Sequence, residues 1–582
     1  MAKLHLGTPR GWRPLLFLFA LLFVGWSTEA TCLAGGGPEN VLLVVNPLRM
    51  DSMTIANHYV ALRQIPANNL FYLPWEGQTE KVTVDEFRAR ILTPILDEIK
   101  QRRLRHVDTI VYSAGYPFSV DITADLAGPV TNFTGPLGSL TGLTYLAPLV
   151  MRRDAAYIYS PNNTRSNYYE STRTLDFSIA PEWIGPGKPI EAGGRRYYLS
   201  VMLGYTDGRG NRLDEIISYL QRSALADGTR PSGTVYLMKN GDIRSQTRDP
   251  LFPHVLAALE SEDVACKILE GTLPSSRKDV MGAVVGRATF DWDKSLCTIR
   301  PGAICEHLTS FGGDLRKSAG QTPFTEHLRH GAAGSSGTVT EPLAIPEKFP
   351  RPWIQVHYAR GATLAEAFYQ SVASPYQLLI AGDPLCRPWA RIPRISLDGL
   401  AAGDVVHDVV RIAPTADKAV PVSEFRLFVD GQWIGACAAG GAFELDTKKL
   451  SDGYHEIRVV GLEASMIRSQ GRLILPIQVA NLGQSIQASV HASNHPGRVN
   501  VWVESPGAKS VYIFHNRRPV GRVFGERGVV AVDAQTCGRG PVTLSAIALE
   551  NEGSEAARVY AQPIHCTMPE TFDVQFTPRA IP

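Results

Sequence analysis

The sequence predicts a multidomain chain: one doubly wound α/β domain followed by two β-sandwich modules. Three observations predict it. Short, continuous apolar runs such as VLLVVN (41–46) alternate with helix-period stretches as far as residue 390, the pattern of a parallel sheet covered on both faces. After Pro393 the texture changes to short strands, Gly-rich turns and few helical stretches. Finally, residues 425–463 line up with 511–550 at an offset of 86 and then 87, and tandem units of that length suit an immunoglobulin-like size.

In the α/β domain, 38–390, VLLVVN reads as a buried strand, and Asp51 or Ser52 caps the helix that follows, with Ile55, Ala56, Tyr59, Val60 and Leu62 on one stripe. LFYLPW returns as a strand. Thr83 with Glu86 has the capping-box spacing of a helix running toward Arg103, which Pro94 should bend. VDTIVYSAGYP (107–117) is the next strand. Residues 120–195 are rich in Gly, Pro, Asn and Tyr without a period and read as a long insertion. Then RYYLSVMLGY, GTVYLMK, VACKIL and VMGAVVG read as strands, with NRLDEIISYLQRSALA and HVLAALES as helices. Strands 41–46, 107–113 and 281–286 are expected to be parallel and central. The modules fall at 394–480 and 485–570. The repeat pairs Phe428 with Phe514, Gly435 with Gly521, Asp446 with Asp533 and Gly453 with Gly540, and DG at 430–431 and 452–453 reads as turns.

Composition narrows the function classes. The 582 residues carry a formal net charge of +2, which leaves no strong field for nucleic acid or acidic lipid. At the N-terminus Arg10 and Arg13 precede PLLFLFALLFVGW, and STEATCLA follows, the order of a secretory signal peptide ending at Ala30 or Ala34. That run is short for a membrane span, and no later segment is long and apolar enough to be one. The chain is therefore expected to be secreted, in the periplasm or cell envelope. Of the eight cysteines, Cys32 lies at the expected cleavage region, and the rest form no CxxC pair and no zinc spacing. Cys537 and Cys566 share one module and are open to bridging.

In doubly wound sheets ligands gather beyond the carboxyl ends of strands, so the loops after Val45, Ser113, Gly204, Gly286 and Ile304 are the places to look. GAICEHLTSFGG (302–313) is the most informative of them: GAIC reads as the end of a strand, HLTSFGG as its loop, and Cys305 and His307 share one face. In EHLRH, His327 and His330 stand at i and i+3, a chelating spacing without a third ligand or the HExxH order. Asp383 in GDP reads as a cap or turn residue. No phosphate-binding glycine loop precedes a helix, and no cofactor or metal is read from the sequence.

The strand-turn CEHLTSFGG, the GAAGSSGTV strand, the LAEAFYQ helix and the GDPL close together resemble the gingipain-like cysteine peptidases of the caspase-like fold. A closer resemblance is to a group of uncharacterised secreted bacterial proteins distantly similar to that clan, through VLLVVNPLRMDSMTIANHYVALRQIPANNLFYL and IAGDPLCRPW. The resemblance spans roughly 41–390. It implies a His-Gly at the end of one strand and a nucleophilic Cys at the end of the next. Here the first strand ends in Gly286-Arg287, without histidine. The family's Cys-Leu-Thr-Gly overlays His307-Leu308-Thr309-Ser310, leaving Cys305 two residues early. The expectation is a catalytically silent gingipain-like domain, a pseudoenzyme with a binding or envelope role toward an extracellular protein or envelope component. The alternative is a secreted cysteine peptidase or hydrolase using Cys305 with His307 or His330.

Overall fold

The computed structural model describes residues 36–126, 135–159, 166, 168–169, 171–177, 196–551 and 557–568. The segment read as a signal peptide lies outside the described residues, as does much of 120–195. Ten strands form one mixed sheet: β1 Val41–Val45, β2 Leu70–Tyr72, β3 Thr109–Tyr112, β4 Leu199–Met202, β5 Thr234–Lys239, β6 Ala265–Glu270, β7 Val280–Gly286, β8 Ile299–Leu308, β9 Gly334–Thr338 and β10 Leu378–Gly382. Their order across the sheet is β2-β1-β3-β4-β10-β9-β8-β7-β5-β6. All five residues of β1 are buried, as a strand covered on both faces requires. β1 is nevertheless one in from an edge, not central.

The all-parallel expectation fails at β10, which runs antiparallel to β9. Two helices, Ile354–Ala359 and Leu364–Ser371, intervene where a parallel crossover has one. The first descends along β8, with Gln355 Nε2 donating to Ile304 O at 3.0 Å and Tyr358 OH to Gly302 O at 2.9 Å. The second climbs back, so the chain re-enters the sheet at the end where β9 leaves it. The loops after β4 and β8 interlock: Arg209 N donates to Leu315 O at 2.8 Å and Asn211 Nδ2 to Thr325 O at 3.1 Å. The two strands nevertheless run in opposite directions, because β4 is parallel to β10, β10 antiparallel to β9 and β9 parallel to β8.

Several local readings change. The helix Met50–Arg63 has Arg49 at its N-cap and no side-chain cap; Ser52 Oγ instead accepts from Asn46 N at 3.0 Å. Thr83 does cap its helix through Glu86 N, and Pro94 follows a widened π-turn at Arg88–Leu92, which absorbs the hydrogen bond proline cannot donate. The described part of the insertion adds Ser119–Asp121 and Leu137–Ser139 to Lys81–Thr83 in a small sheet.

Beyond Pro393 two antiparallel units follow, each of two sheets around its own core. In the first, Ile395–Asp398, Val409–Ala416 and Phe443–Asp446 face Gln432–Ala438, Val422–Val429, Asp452–Glu463 and Gln470–Val479. In the second, Gln487–Ala492, Arg498–Glu504 and Arg527–Asp533 face Arg518–Phe524, Ser510–His515 and Gly540–Leu549, in the same order. The repeat pairs occupy equivalent places. A register shift falls just before Phe428 and just before Phe514, Gly435 lies opposite Leu427 as Gly521 lies opposite Ile513, and Asp446 and Asp533 both accept a backbone N–H two residues on. Asp430 and Gly431 both have positive φ, as a tight hairpin turn requires. Asp452-Gly453 is no turn. It opens a strand, and the buried Asp452 carboxylate accepts the N–H groups of Asn481, Leu482 and Gln484 in the connection between the units. Cys537 and Cys566 are free thiols, like the other described cysteines.

The units dock on the α/β domain through buried polar contacts. Glu39, immediately before β1, is 1% exposed and lies 3.3 Å from both Arg458 and Arg472 of the first unit. Asn57 Nδ2 donates to Cys537 O at 2.8 Å and Arg539 N to Thr54 Oγ1 at 3.0 Å, joining the second unit to the helix after β1. Burial alone would raise the Glu39 carboxyl; the guanidiniums of Arg472 and Arg458 overcome it and hold the carboxyl below the ordinary range. A carboxyl depressed in the folded state stabilises above its unfolded value, and that stability is lost as pH falls through the lower folded one. Glu39→Gln removes the carboxylate shared by Arg472 and Arg458 and leaves Arg458 with Glu456 alone. We expect a loss of about 3–5 kcal/mol in urea unfolding near neutral pH, a loss that shrinks as pH is lowered below the ordinary glutamate range. A loss independent of pH excludes this linkage.

Candidate functional site

Strand β8 continues to Leu308, three residues past the end expected at Cys305, and every residue from Gly302 to Leu308 is buried. Cys305 therefore sits inside the sheet opposite Ala283 and not in a loop. Its side chain has no exposed surface, and burial pushes the thiol far above its ordinary range. Among the described residues no hydrogen bond joins Cys305 to an imidazole.

His307 packs instead against a ring cluster. Its Nδ1 lies 3.2 Å from His327 Nε2, and His327 Nδ1 accepts the Trp292 indole N–H at 3.0 Å. Phe290 stacks on His327 with centroids 4.6 Å apart and meets His307 edge-on at 5.0 Å. An indole can only donate, so the network assigns the His327 proton to Nε2, which donates to His307 Nδ1. Both rings are thus neutral. Burial, with the Arg248 charge nearby, pushes His307 down to about 3, and burial carries His327 well below its ordinary value. The i, i+3 pair in EHLRH is split. His327 turns inward, while His330 faces two acceptors near the surface, Glu326 O 2.8 Å from Nδ1 and Asp293 Oδ1 3.2 Å from Nε2. The three candidates Cys305, His307 and His330 are not brought together, and no group of three metal-ligating side chains occurs among the described residues.

The other face of β8 carries an ion pair the sequence reading missed. Glu306, 0% exposed, bonds Arg248, 1% exposed, which also donates to the Val285 carbonyl. Burial raises the Glu306 carboxyl, and the Arg248 charge offsets only part of that. A glutamate inside an otherwise apolar strand was the signal, since such a residue needs a buried cation.

The strand ends themselves are closed. β7 and β8 are adjacent and parallel, with Gly286 opposite Leu308. A Cβ on Gly286 would lie 2.4 Å from the backbone of Ser245, in the short helix Ile243–Gln246. No histidine fits there unless that helix moves. Beyond β8, a Cβ on Gly313 would lie 2.2 Å from the Gly337 carbonyl, and Thr309 Oγ1 bonds the Gln321 side chain.

No family model and no curated protein matches this chain. Solved structures similar to parts of it include the fibronectin(III)-like modules of Clostridium thermocellum CbhA, at 12% identity over 32% of this chain and 100% of that one, with a TM-score of 0.14. Latent PorU from Porphyromonas gingivalis is 13% identical over 30% of this chain and 20% of that one, with a TM-score of 0.13. A Bacteroides ovatus mixed-linkage glucan utilization protein, SGBP-B, is 10% identical over 30% and 47%, with a TM-score of 0.19. Likeness at this level assigns no function. The described architecture is an α/β domain with several antiparallel β sheets, and no helix among the described residues is long and apolar enough to cross a membrane.

Arg248→Met leaves Glu306 buried without its cation. Urea unfolding should show a loss of about 3–5 kcal/mol, and the double variant Arg248→Met, Glu306→Met should recover much of it. Equal losses in single and double variants would mean that the pair acts only through volume.

Proposed function

We propose that this chain is an exported multidomain protein whose gingipain-like, caspase-like domain is catalytically silent and acts by binding, with an envelope or extracellular component as partner. The observation that carries the reading is the place of Cys305: mid-strand, without exposed surface, and without an imidazole partner. A thiol so placed has neither a base to remove its proton nor room for a carbonyl. The consecutive, adjacent and parallel β7 and β8 support the caspase-like part, because the resemblance requires a dyad carried on two such strands. The equal strand orders of the two β units support reading them as immunoglobulin-like modules. Two other features support silence: the packing against Gly286 and the neutral, ring-enclosed His307.

The test is thiol labelling of the folded protein, located by mass spectrometry. Iodoacetamide should modify the partly exposed Cys297, Cys437 and Cys566 and spare Cys305 until denaturant is added. Cys305→Ala should leave peptide turnover at background and cost roughly 1 kcal/mol of packing. Peptide cleavage that disappears in a folded Cys305→Ala variant would instead establish the alternative, a secreted cysteine hydrolase with Cys305 as nucleophile.

A further inference from the structure

A sizeable cleft lies away from β8's carboxyl end. It measures about 510 Å³ and opens beside the amino ends of β5 and β6, where the α/β domain meets the first β unit. That volume falls within the range of about 300–1,000 Å³ typical of small-molecule sites. Its charges do not balance. Arg360 is matched by Glu262, with Nε 2.7 Å from the carboxylate, and Arg391 by Glu463 at 3.3 Å. The remaining two arginines, Arg173 and Arg230, line the same cleft, are exposed, and have no carboxylate partner among the described residues.

Arg230 is held in place by its backbone. Its N–H donates to Pro388 O at 2.9 Å, and its φ of 48° is one a non-glycine residue seldom adopts. The segment carrying Arg173 is tied down from both sides: Arg360 Nη1 donates to Thr172 O at 2.6 Å, and Asp176 N to Met466 O at 2.8 Å. Hydroxyls from Thr172 and Ser465 and the edge of Trp389 complete the lining. Two unmatched guanidiniums on anchored backbone, facing one cleft among hydroxyl groups, are the donor set for oxyanions, which arginine binds in a bidentate manner.

We propose that this cleft binds a small hydroxylated ligand bearing oxyanion groups, with Arg173 and Arg230 as its counter-charges. The site goes beyond the reading of the domain as silent and does not depend on it, because no part of β8 contributes to it. Two sources share this chemistry, sugar acids and sugar phosphates, and the probes separate them.

The test is calorimetric titration of the full chain at low ionic strength with glucuronate and with glucose 6-phosphate. We expect saturable binding of at least one probe. It should weaken about tenfold or more in Arg230→Ala and in Arg173→Ala, fall further in the double variant, and stay unchanged in Arg277→Ala, an exposed arginine outside the cleft. Binding of glucuronate alone assigns carboxylate ligands, and binding of glucose 6-phosphate alone assigns phosphate ligands. The proposal is overturned if neither probe binds saturably, if the double variant binds as the parent does, or if Arg277→Ala loses as much. Thermal unfolding of each variant without ligand confirms that it is folded. Since both arginines are exposed and unpaired, their melting temperatures should match the parent's.

Discussion

Strand β8 is covered on both faces from Gly302 to Leu308, and this burial decides what its polar residues can do. A buried polar group must find its partner inside the protein. Glu306 does so through Arg248, and His307 through His327, whose other nitrogen is filled by Trp292. Each solution places a bulky group against the sheet: an arginine and the Ile243–Gln246 helix region on one side, three aromatic rings on the other. Once those groups are present, the space a substrate would need beyond β7 and β8 is occupied. The enclosure of Cys305 thus goes with the partners its neighbours at 306 and 307 take on either side of the strand.

The same accounting holds the chain together elsewhere. Glu39 stands immediately before β1, so whatever fixes it also fixes the start of the first half of the sheet. Two arginines of the first β unit do that. At the far end of the helix Met50–Arg63, Arg63 pairs with Asp227 and with Asp383, which also receives Tyr59 OH at 3.2 Å and Leu385 N at 3.1 Å. Of the cap or turn role its sequence suggested, Asp383 takes the turn, accepting from the N–H two residues on, and it also anchors a helix more than three hundred residues away in sequence. The β units are joined in turn, because Asp452-Gly453 of one pairs with Val559-Tyr560 of the other. Their relative placement is set by backbone hydrogen bonds and does not rest on a flexible linker.

What was legible in the sequence is what depends on local pattern. The run VLLVV is buried throughout, Thr83 caps its helix, and the pairs Phe428/Phe514 and Gly435/Gly521 sit at matching bulges, because these features are set by neighbours a few residues away or by internal repetition. What was illegible depends on partners distant in sequence. HL reads as the start of the loop after GAIC, yet Glu306, His307 and Leu308 are strand, with Arg248 and His327 arriving from 58 and 20 residues away. The reversal of β10 depends on two helices packing on each other. Asp452 reads as half of a turn only until the N–H groups of 481–484 are seen to need it. The closure at the end of β7 was half legible: the absence of a histidine could be read at Gly286-Arg287, but the helix backbone that leaves no room for a side chain there could not.

The carboxyl edge of β7–β8 and the cleft beside the amino ends of β5 and β6 obey one rule with opposite outcomes. At the carboxyl edge the Glu306 charge is met by Arg248 and His307 Nδ1 by His327, and an incoming ligand would have to replace those contacts. A substrate there has to offset the loss of those bonds before it gains anything. At the cleft, two ion pairs are complete and two guanidiniums are not, so an oxyanion displaces only water and gains charge-assisted bonds without breaking any within the protein. Where buried arginines meet buried carboxylates, at Glu39, Asp383 and Glu306, the charges are matched within the protein; the exposed Arg173 and Arg230 have no such partner among the described residues and are where recognition costs the fold least.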